Sequence, residues 1–317
     1  MNDLVKKTPG SLVIASFAAI YIIWGSTYLA ILIGLETIPP FFLAGTRFLT
    51  AGLLLLAYAF YKGEKLPDTT SLLRIGLAGI LMLYIGNGTV TWVEQHLPSG
   101  LAAIIVATVP LWLVILDRGQ WKFYFSNIQI IGGLLVGFAG VILLFAGNAA
   151  GDLFSDPLKF VSLLVLMGGI VSWSIGTLFS KYKPMQGSTT MKVAVQSITA
   201  GLFFIPTGFI SGEHEGFSIS DVSTNSLLAL FYLTFFGSIL AYLAYMWLLS
   251  VKPASLVGTY AYVNPVVAVF LGWLIAAEQI SMQQAIGLGV IILGLIIVNM
   301  SKEKKSPLLK PVGKGAV

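Results

Sequence analysis

The chain of 317 residues contains no cysteine, which excludes disulfide, thiolate and iron–sulfur chemistry at the outset. It has two histidines, His96 and His214, far apart in sequence, and neither a His-Glu-x-x-His pattern, a phosphate loop nor a Gly-x-Ser-x-Gly elbow. No metal and no organic cofactor is expected. Charge is scarce too, at 10% of residues against about 25% in an ordinary soluble domain. Such a surface cannot coat a globule in water, so a cytosolic enzyme is excluded. No Asp, Glu or Lys falls near the middle of an apolar run, which argues against a retinal-binding pump, a carboxylate-based sodium antiporter and an intramembrane aspartyl protease.

What the chain has in quantity is apolar surface: 57% hydrophobic residues and a mean hydropathy of +0.91. The apolar runs are too long and too free of polar alternation for the roughly ten-residue strands of an outer-membrane barrel. Helices are then the structure that satisfies every backbone group in lipid. At about 20 residues per crossing, the runs between charge and Pro/Gly punctuation give ten spans: 11–34, 40–61, 71–93, 98–117, 127–147, 157–180, 190–211, 226–250, 254–276 and 282–300. The first follows Lys6 and Lys7 but exceeds a signal-peptide core, so it reads as an uncleaved helix. The expected fold is an all-α integral membrane protein of ten transmembrane helices.

The net charge of +5 raises the question of nucleic acid. Assigning alternate loops to opposite sides answers it. Of the 18 cations, 16 fall on one side, with Lys159 alone on the other and Arg47 inside a span. The opposite side carries Glu36, Glu94, Asp152, Asp156, Glu213, Glu215, Asp221 and Glu278. The positive-inside rule then places the chain in the cytoplasmic (inner or plasma) membrane with both termini in the cytoplasm. The basic balance is topological, and no nucleic-acid partner is expected.

A fixed offset runs through the sequence. Thr50-Ala51-Gly52-Leu53 recurs as Thr199-Ala200-Gly201-Leu202 and Trp24 meets Trp173, both at a shift of 149. Beyond Ser211–Asp221 the shift becomes 155 and pairs Trp92 with Trp247, Pro98 with Pro253, Pro110 with Pro265, Gln129 with Gln284 and Gly132 with Gly287. The chain divides into a first five-helix repeat (1–148), a second (149–300) and a basic cytoplasmic tail (301–317). Five is odd, so the second repeat enters the membrane from the other side, an inverted arrangement that lets a midplane site open to either face in turn.

Candidate site residues follow from depth and chemistry. Pro110 and Pro265 lie about 18 Å into their helices, where a missing N–H frees the carbonyls of Val106 and Ala261; they are candidate gating hinges or packing kinks. Midplane polar and aromatic side chains converge from several spans without formal charge: Trp24, Thr27 and Tyr28; Tyr84, Asn87 and Thr91; Trp173; Tyr242; Tyr260 and Asn264. They suit a cavity for an uncharged, zwitterionic or aromatic solute, or alternatively serve as glue between helices. Arg47, about 10 Å below the outer end of its span, either snorkels, pairs with Glu36, Glu94 or Glu278, or binds a substrate carboxylate. Gly133-x-x-x-Gly137 reads as a packing motif.

Trp24-Gly25-Ser26-Thr27-Tyr28, Pro39-Pro40 with Arg47-Phe48, the paired Pro98/Pro110 and Pro253/Pro265, and Glu278 with Gln284 and Gly287 together resemble the EamA branch of the drug/metabolite transporter superfamily over residues 11–300. The resemblance implies ten helices in an inverted repeat, a cavity lined by spans one, three, four, six, eight and nine, and export of amino acids, drugs or other small metabolites. Where the family's acidic residue matches Glu278, the first repeat has Phe123, which speaks against a symmetric carboxylate pair. The expected activity is that of a secondary transporter exporting amino-acid-like or aromatic solutes, the partners being the solute and the lipid bilayer, in a monomer or weak homodimer. Uptake or exchange of sugar or nucleotide-like solutes is the alternative within transport, though phosphate asks for more cations than Arg47 supplies. A membrane enzyme is disfavoured by the lack of an acid/base or metal constellation.

Overall fold

A computed structural model describes residues 10–97, 99–145, 157–276 and 281–300. Pro98, Glu278 and the tail 301–317 therefore lie outside the described residues. Among the described residues the chain is helical, with no strand. α1 (Gly10–Leu35) and α2 (Pro40–Tyr61) precede a continuous rod built of α3 (Thr69–Gly79), a π-helical stretch π1 (Ile80–Asn87) and α4 (Gly88–Val93). α5 (Ser99–Val106) and α6 (Val109–Leu116) are parted at Ala107 and Thr108; α7 (Trp121–Phe125) and α8 (Ile128–Phe145) follow. α9 (Pro157–Tyr182) and α10 (Thr189–Ile210) lead to a second composite rod of α11 (Thr224–Tyr232), π2 (Leu233–Ala241) and α12 (Tyr242–Val251). α13 (Ala254–Gly258), α14 (Tyr260–Ala276) and α15 (Met282–Asn299) complete the fold.

Eight of these units are long and apolar enough to cross a bilayer, or nine if Ile104–Leu116 and Arg118–Phe125, bent by 69°, count as one. The count differs from the expected ten for two physical reasons. The fourth span bends sharply at Asp117, between Leu116 and Arg118, and its helical ladder is also interrupted just ahead of Pro110, which lacks an N–H. The apolar run of α8, Ile128–Leu144, is shorter than any of the eight units counted.

Helix starts are capped locally. Asp68 accepts from the Ser71 amide at the head of α3, Ser188 from that of Met191 at α10, and Ser223 from that of Ser226 at α11. Ser281 and Gln284 form a reciprocal capping box at α15. α2 uses a distant group instead. Its first turn opens on Pro40, and the Glu213 carboxylate accepts the N–H of Phe41 at 3.0 Å and of Phe42 at 3.1 Å. An anion facing two free donors at a helix N-terminus is stabilised by the helix dipole. Burial nonetheless raises the Glu213 carboxyl above its ordinary range, with the two amides pulling back.

Glycine decides how closely the helices approach. A Cβ on Gly52 of α2 would stand 2.7 Å from the Ile198 amide on α10, and one on Gly201 of α10 would stand 2.8 Å from the Leu49 amide on α2. These are the same contact twice, because 49 and 52 map onto 198 and 201 by the offset of 149. Along α8 and α15, a Cβ on Gly294 would fall 2.4 Å from the Gly137 amide, and one on Gly287 would touch the Gly140 carbonyl at 3.1 Å. Outward-facing side chains are large and apolar around the bundle, as at Ile14, Leu73, Ile210 and Leu293. They fit a protein that faces hydrocarbon.

Candidate functional site

The bundle centre holds a cavity of about 80 Å³. Its floor and walls come from α1, α2, the first composite rod, α5, α6, α9, π2, α12 and α14. Of the residues singled out from sequence, Trp24, Thr27, Tyr28, Arg47, Asn87, Trp173, Tyr242, Tyr260 and Asn264 line it. Tyr84 and Thr91 lie elsewhere. The Tyr84 hydroxyl hydrogen-bonds Thr207 on α10 at 2.7 Å and its ring packs on Phe203 and Phe204. Thr91 is buried and donates to the Asn87 carbonyl at 3.2 Å. The π-helical turn between Tyr84 and Asn87, with its i→i+5 bonding, changes the phase that a plain helix would keep. Pro110 sits at the first turn of α6 beside Val109 of the wall, and Pro265 lies within α14 next to Asn264.

Trp24 is the hub. Its ring centroid lies 4.8 Å from Tyr260, 5.0 Å from Tyr245 and 5.8 Å from Trp173, in tilted or edge-on contacts. Its indole N–H donates to the Gly237 carbonyl of π2 at 3.2 Å. The Tyr245 and Thr177 hydroxyls share a hydrogen bond of 2.7 Å, which locks that wall. Aromatic pairs at these separations contribute about 0.5–1.5 kcal/mol each beyond their burial. The box is therefore stiff on its inner side.

Arg47 supplies the one charge on the wall. It is 5% exposed, its Nη2 donates to Asn87 Oδ1 at a long 3.4 Å, its guanidinium carbon lies 4.3 Å above the Phe48 ring, and its Nε has no hydrogen-bond partner. Trp173 Nε1 and Asn264 Oδ1 on the same wall are also without partners. Buried polar groups are nearly always paired. Unsatisfied donors and an acceptor converging on one space are the chemistry of a site that receives a polar solute.

Sequence reasoning missed several participants. Gln196, fully buried on α10, accepts from the Tyr242 hydroxyl at 2.7 Å. Position 196 corresponds to Arg47 and 242 to Asn87, so Tyr242–Gln196 repeats the Arg47–Asn87 contact with neutral groups. The offset held that signal. Gly237 and Gly176 are a second pair of this kind: a Cβ on Gly237 would meet Thr27, and one on Gly176 would meet Met82, the positions matched by the repeat. Asp117 was also overlooked. Its carboxylate accepts the hydroxyls of Tyr124 and Tyr182 at 2.8 Å, and Lys181 caps the end of α12 through the carbonyls of Leu249 and Lys252, which ties α6, α7, α9 and α12 together at the end of the bundle away from Arg47.

A central cavity walled by interrupted and π-helical segments of a lipid-facing bundle defines a membrane transport protein. The family model described as "EamA-like transporter family" matches the chain twice, over residues 11–146 and 160–300, and the chain belongs to that family. It is 39% identical over 297 residues to the "Uncharacterized inner membrane transporter YedA" of Escherichia coli K12, covering 93% of both chains. It is 26% identical to the "Uncharacterized transporter YvbV" of Bacillus subtilis, covering 95% and 96% of the two chains. A WAT1-related chloroplastic protein of Arabidopsis thaliana is 28% identical over 88% of this chain and 67% of its own. A solved crystal structure at 19% identity superposes with a TM-score of 0.74 over 92% of this chain and 99% of its own, which shows the same fold. The protein is a multi-pass membrane transporter of the EamA-like family.

Proposed function

We propose that the protein is a secondary transporter that exports amino-acid-like or aromatic solutes by alternating access between two inverted five-helix repeats. The observation that carries this reading is the aromatic cavity with the buried Arg47 guanidinium on its wall, its Nε without a hydrogen-bond partner. Ring faces suit an aromatic or apolar side chain, Arg47 suits a carboxylate, and Asn264 with Trp173 offers neutral hydrogen bonds. The reciprocal contacts Gly52–Ile198 and Gly201–Leu49, and the two π segments in the third and eighth spans, support a pseudo-two-fold axis in the membrane plane. Both termini are placed in the cytoplasm by the cation split.

A cavity of about 80 Å³ holds a few water molecules, whereas sites for small ligands run to about 300–1,000 Å³. Solute binding accordingly requires the walls to part. The broken fourth span and the Pro265 helix are the elements proposed to move.

The test is flux of radiolabelled L-phenylalanine, L-tryptophan and phenethylamine in proteoliposomes of both orientations. Export-directed flux of the amino acids, lost in Arg47→Gln while phenethylamine still crosses, is the expected result. Equal loss of all three solutes in protein of normal yield would remove the carboxylate-anchor role, and no flux of any aromatic solute would remove the substrate class.

A further inference from the structure

One turn beyond Val90 of the cavity wall lies a second buried charge that the reading above leaves idle. Glu94 follows α4 directly, in the turn that closes the first composite rod. Both of its carboxylate oxygens are buried and neither has a hydrogen-bond partner. Arg47 of α2 is the charge that acts on it, and the Tyr28 phenol of α1 interacts with it from the cavity wall. The other titratable groups on the surrounding segments are His96, two residues on and edge-on to Trp92 at 4.6 Å, Glu36 after α1, and Lys159 in the first turn of α9. Burial raises the Glu94 carboxyl above its ordinary range and the Arg47 charge draws it part of the way back.

The duplication provides an internal control. The offset of 155 places Leu249, buried and apolar, at the position of Glu94, and the offset of 149 places neutral Gln196 at that of Arg47. The same scaffold is therefore built once with both charges and once without either. Packing does not require the acid.

We propose that Glu94 is a proton-binding site linked to the cavity through Arg47, so that a solute carboxylate and a proton bind together. When Glu94 is ionised it offsets the Arg47 charge, and an arriving carboxylate meets a neutralised partner. When Glu94 is protonated the guanidinium is free to take the carboxylate. Linkage makes the effect reciprocal: a carboxylate on Arg47 removes the attraction that keeps Glu94 ionised, and the acid takes up one proton from the bulk. One O–H bond forms on Glu94 as a hydronium or buffer acid in the bulk loses its proton, and the added proton balances the charge of the arriving carboxylate. The proposal rests on Arg47 as carboxylate anchor, the reading given above, and adds a proton taken up at Glu94 when the solute binds.

The experiment uses the full chain in detergent and 3-phenylpropionate as probe, because its carboxylate stays ionised from about pH 6 to about pH 10. Calorimetry in buffers of differing ionisation enthalpy counts protons taken up on binding. Wild type is expected to take up protons and to bind at least about fivefold tighter at the acidic end, the lower edge of ordinary coupling. Glu94→Gln, a neutral isostere, is expected to bind with no proton uptake and with an affinity independent of pH and near the wild-type acid value. A merely structural carboxylate would not make the variant the tighter binder at high pH. His96→Gln is expected to behave as wild type. Wild-type proton uptake in Glu94→Gln, or loss of it in His96→Gln alone, overturns the proposal. Should 3-phenylpropionate bind to none of these proteins, the carboxylate-anchor reading fails, and the proton site is judged separately by infrared titration of the solute-free protein. A protonated-carboxyl band that persists above the ordinary carboxylate range and disappears in Glu94→Gln supports the site; identical spectra overturn it.

Discussion

Arg47 is held by a long bond to Asn87, the face of Phe48 and the charge of Glu94, with no close ion pair. A cation inside a bilayer costs roughly 2.5–3.5 kcal/mol on insertion scales, and so weak a set of partners does not offset that cost. Replacing it by the Gln found at 196 is therefore expected to leave folded yield unchanged or raised while removing carboxylate solutes, measured as size-exclusion yield alongside flux. The aromatic hub behaves differently. Trp24→Ala and Tyr260→Phe each delete neutral contacts, net about 0.5–1.5 kcal/mol apiece, so apparent affinity is expected to fall about three- to tenfold, by titration of intrinsic fluorescence. The loss should be insensitive to salt, because no ion pair is screened. Glu213→Gln addresses stability rather than transport: it keeps one acceptor at the head of α2 but loses the charge, a change of about 1 kcal/mol readable as a lower melting temperature with normal flux.

At the scale of elements, interruptions and tight seams divide the labour. The α2–α10 and α8–α15 seams are backbone-to-backbone contacts that exclude any Cβ, and they form rigid walls. Gly294→Val is expected to lose most folded protein, since its Cβ would stand 2.4 Å from the Gly137 amide and backbone cannot yield as a side-chain tip does. The breaks at Ala107–Thr108 and at Thr259 are loose by contrast. At each, a threonine hydroxyl donates to the carbonyl three residues back, Ile105 at 2.6 Å and Leu256 at 2.7 Å, alongside the threonine's own amide. Pro110→Ala and Pro265→Ala are expected to restore a ladder bond at each hinge and slow transport more than they lower yield, with the double variant slowest in single-turnover flux. Unchanged flux in the double variant would reduce both prolines to packing kinks.

For the whole molecule, the decisive expectation is topological. Reporter fusions after positions 65, 120 and 183 are expected to report the cytoplasm, and those after 37 and 215 the outside. The cation split sets this expectation, together with the odd number of crossings proposed for each repeat. A cytoplasmic signal at 215 would end the inverted arrangement and the alternating-access mechanism with it.

Composition and periodicity alone determined that this chain is helical and lives in lipid, because scarce charge and long apolar runs leave no other way to satisfy the backbone. The offset of 149 and then 155 matched positions whose contacts turned out to repeat, from Gly52 and Gly201 to Arg47 and Gln196. Depth in a span also brought Trp24, Asn87, Trp173 and Asn264 to one cavity. Only the tertiary structure decided direction around each helix. A one-dimensional pattern assumes a constant 3.6-residue phase, and the π turns of the third and eighth spans break it, so that Tyr84 faces Thr207 while Asn87 faces the cavity. The sequence named Glu94, with Glu36 and Glu278, as a partner for Arg47, but not its burial. Its neighbours in sequence place it at an outer surface, and the Arg47 and Tyr28 side chains that define its surroundings come from helices 47 and 66 residues away along the chain.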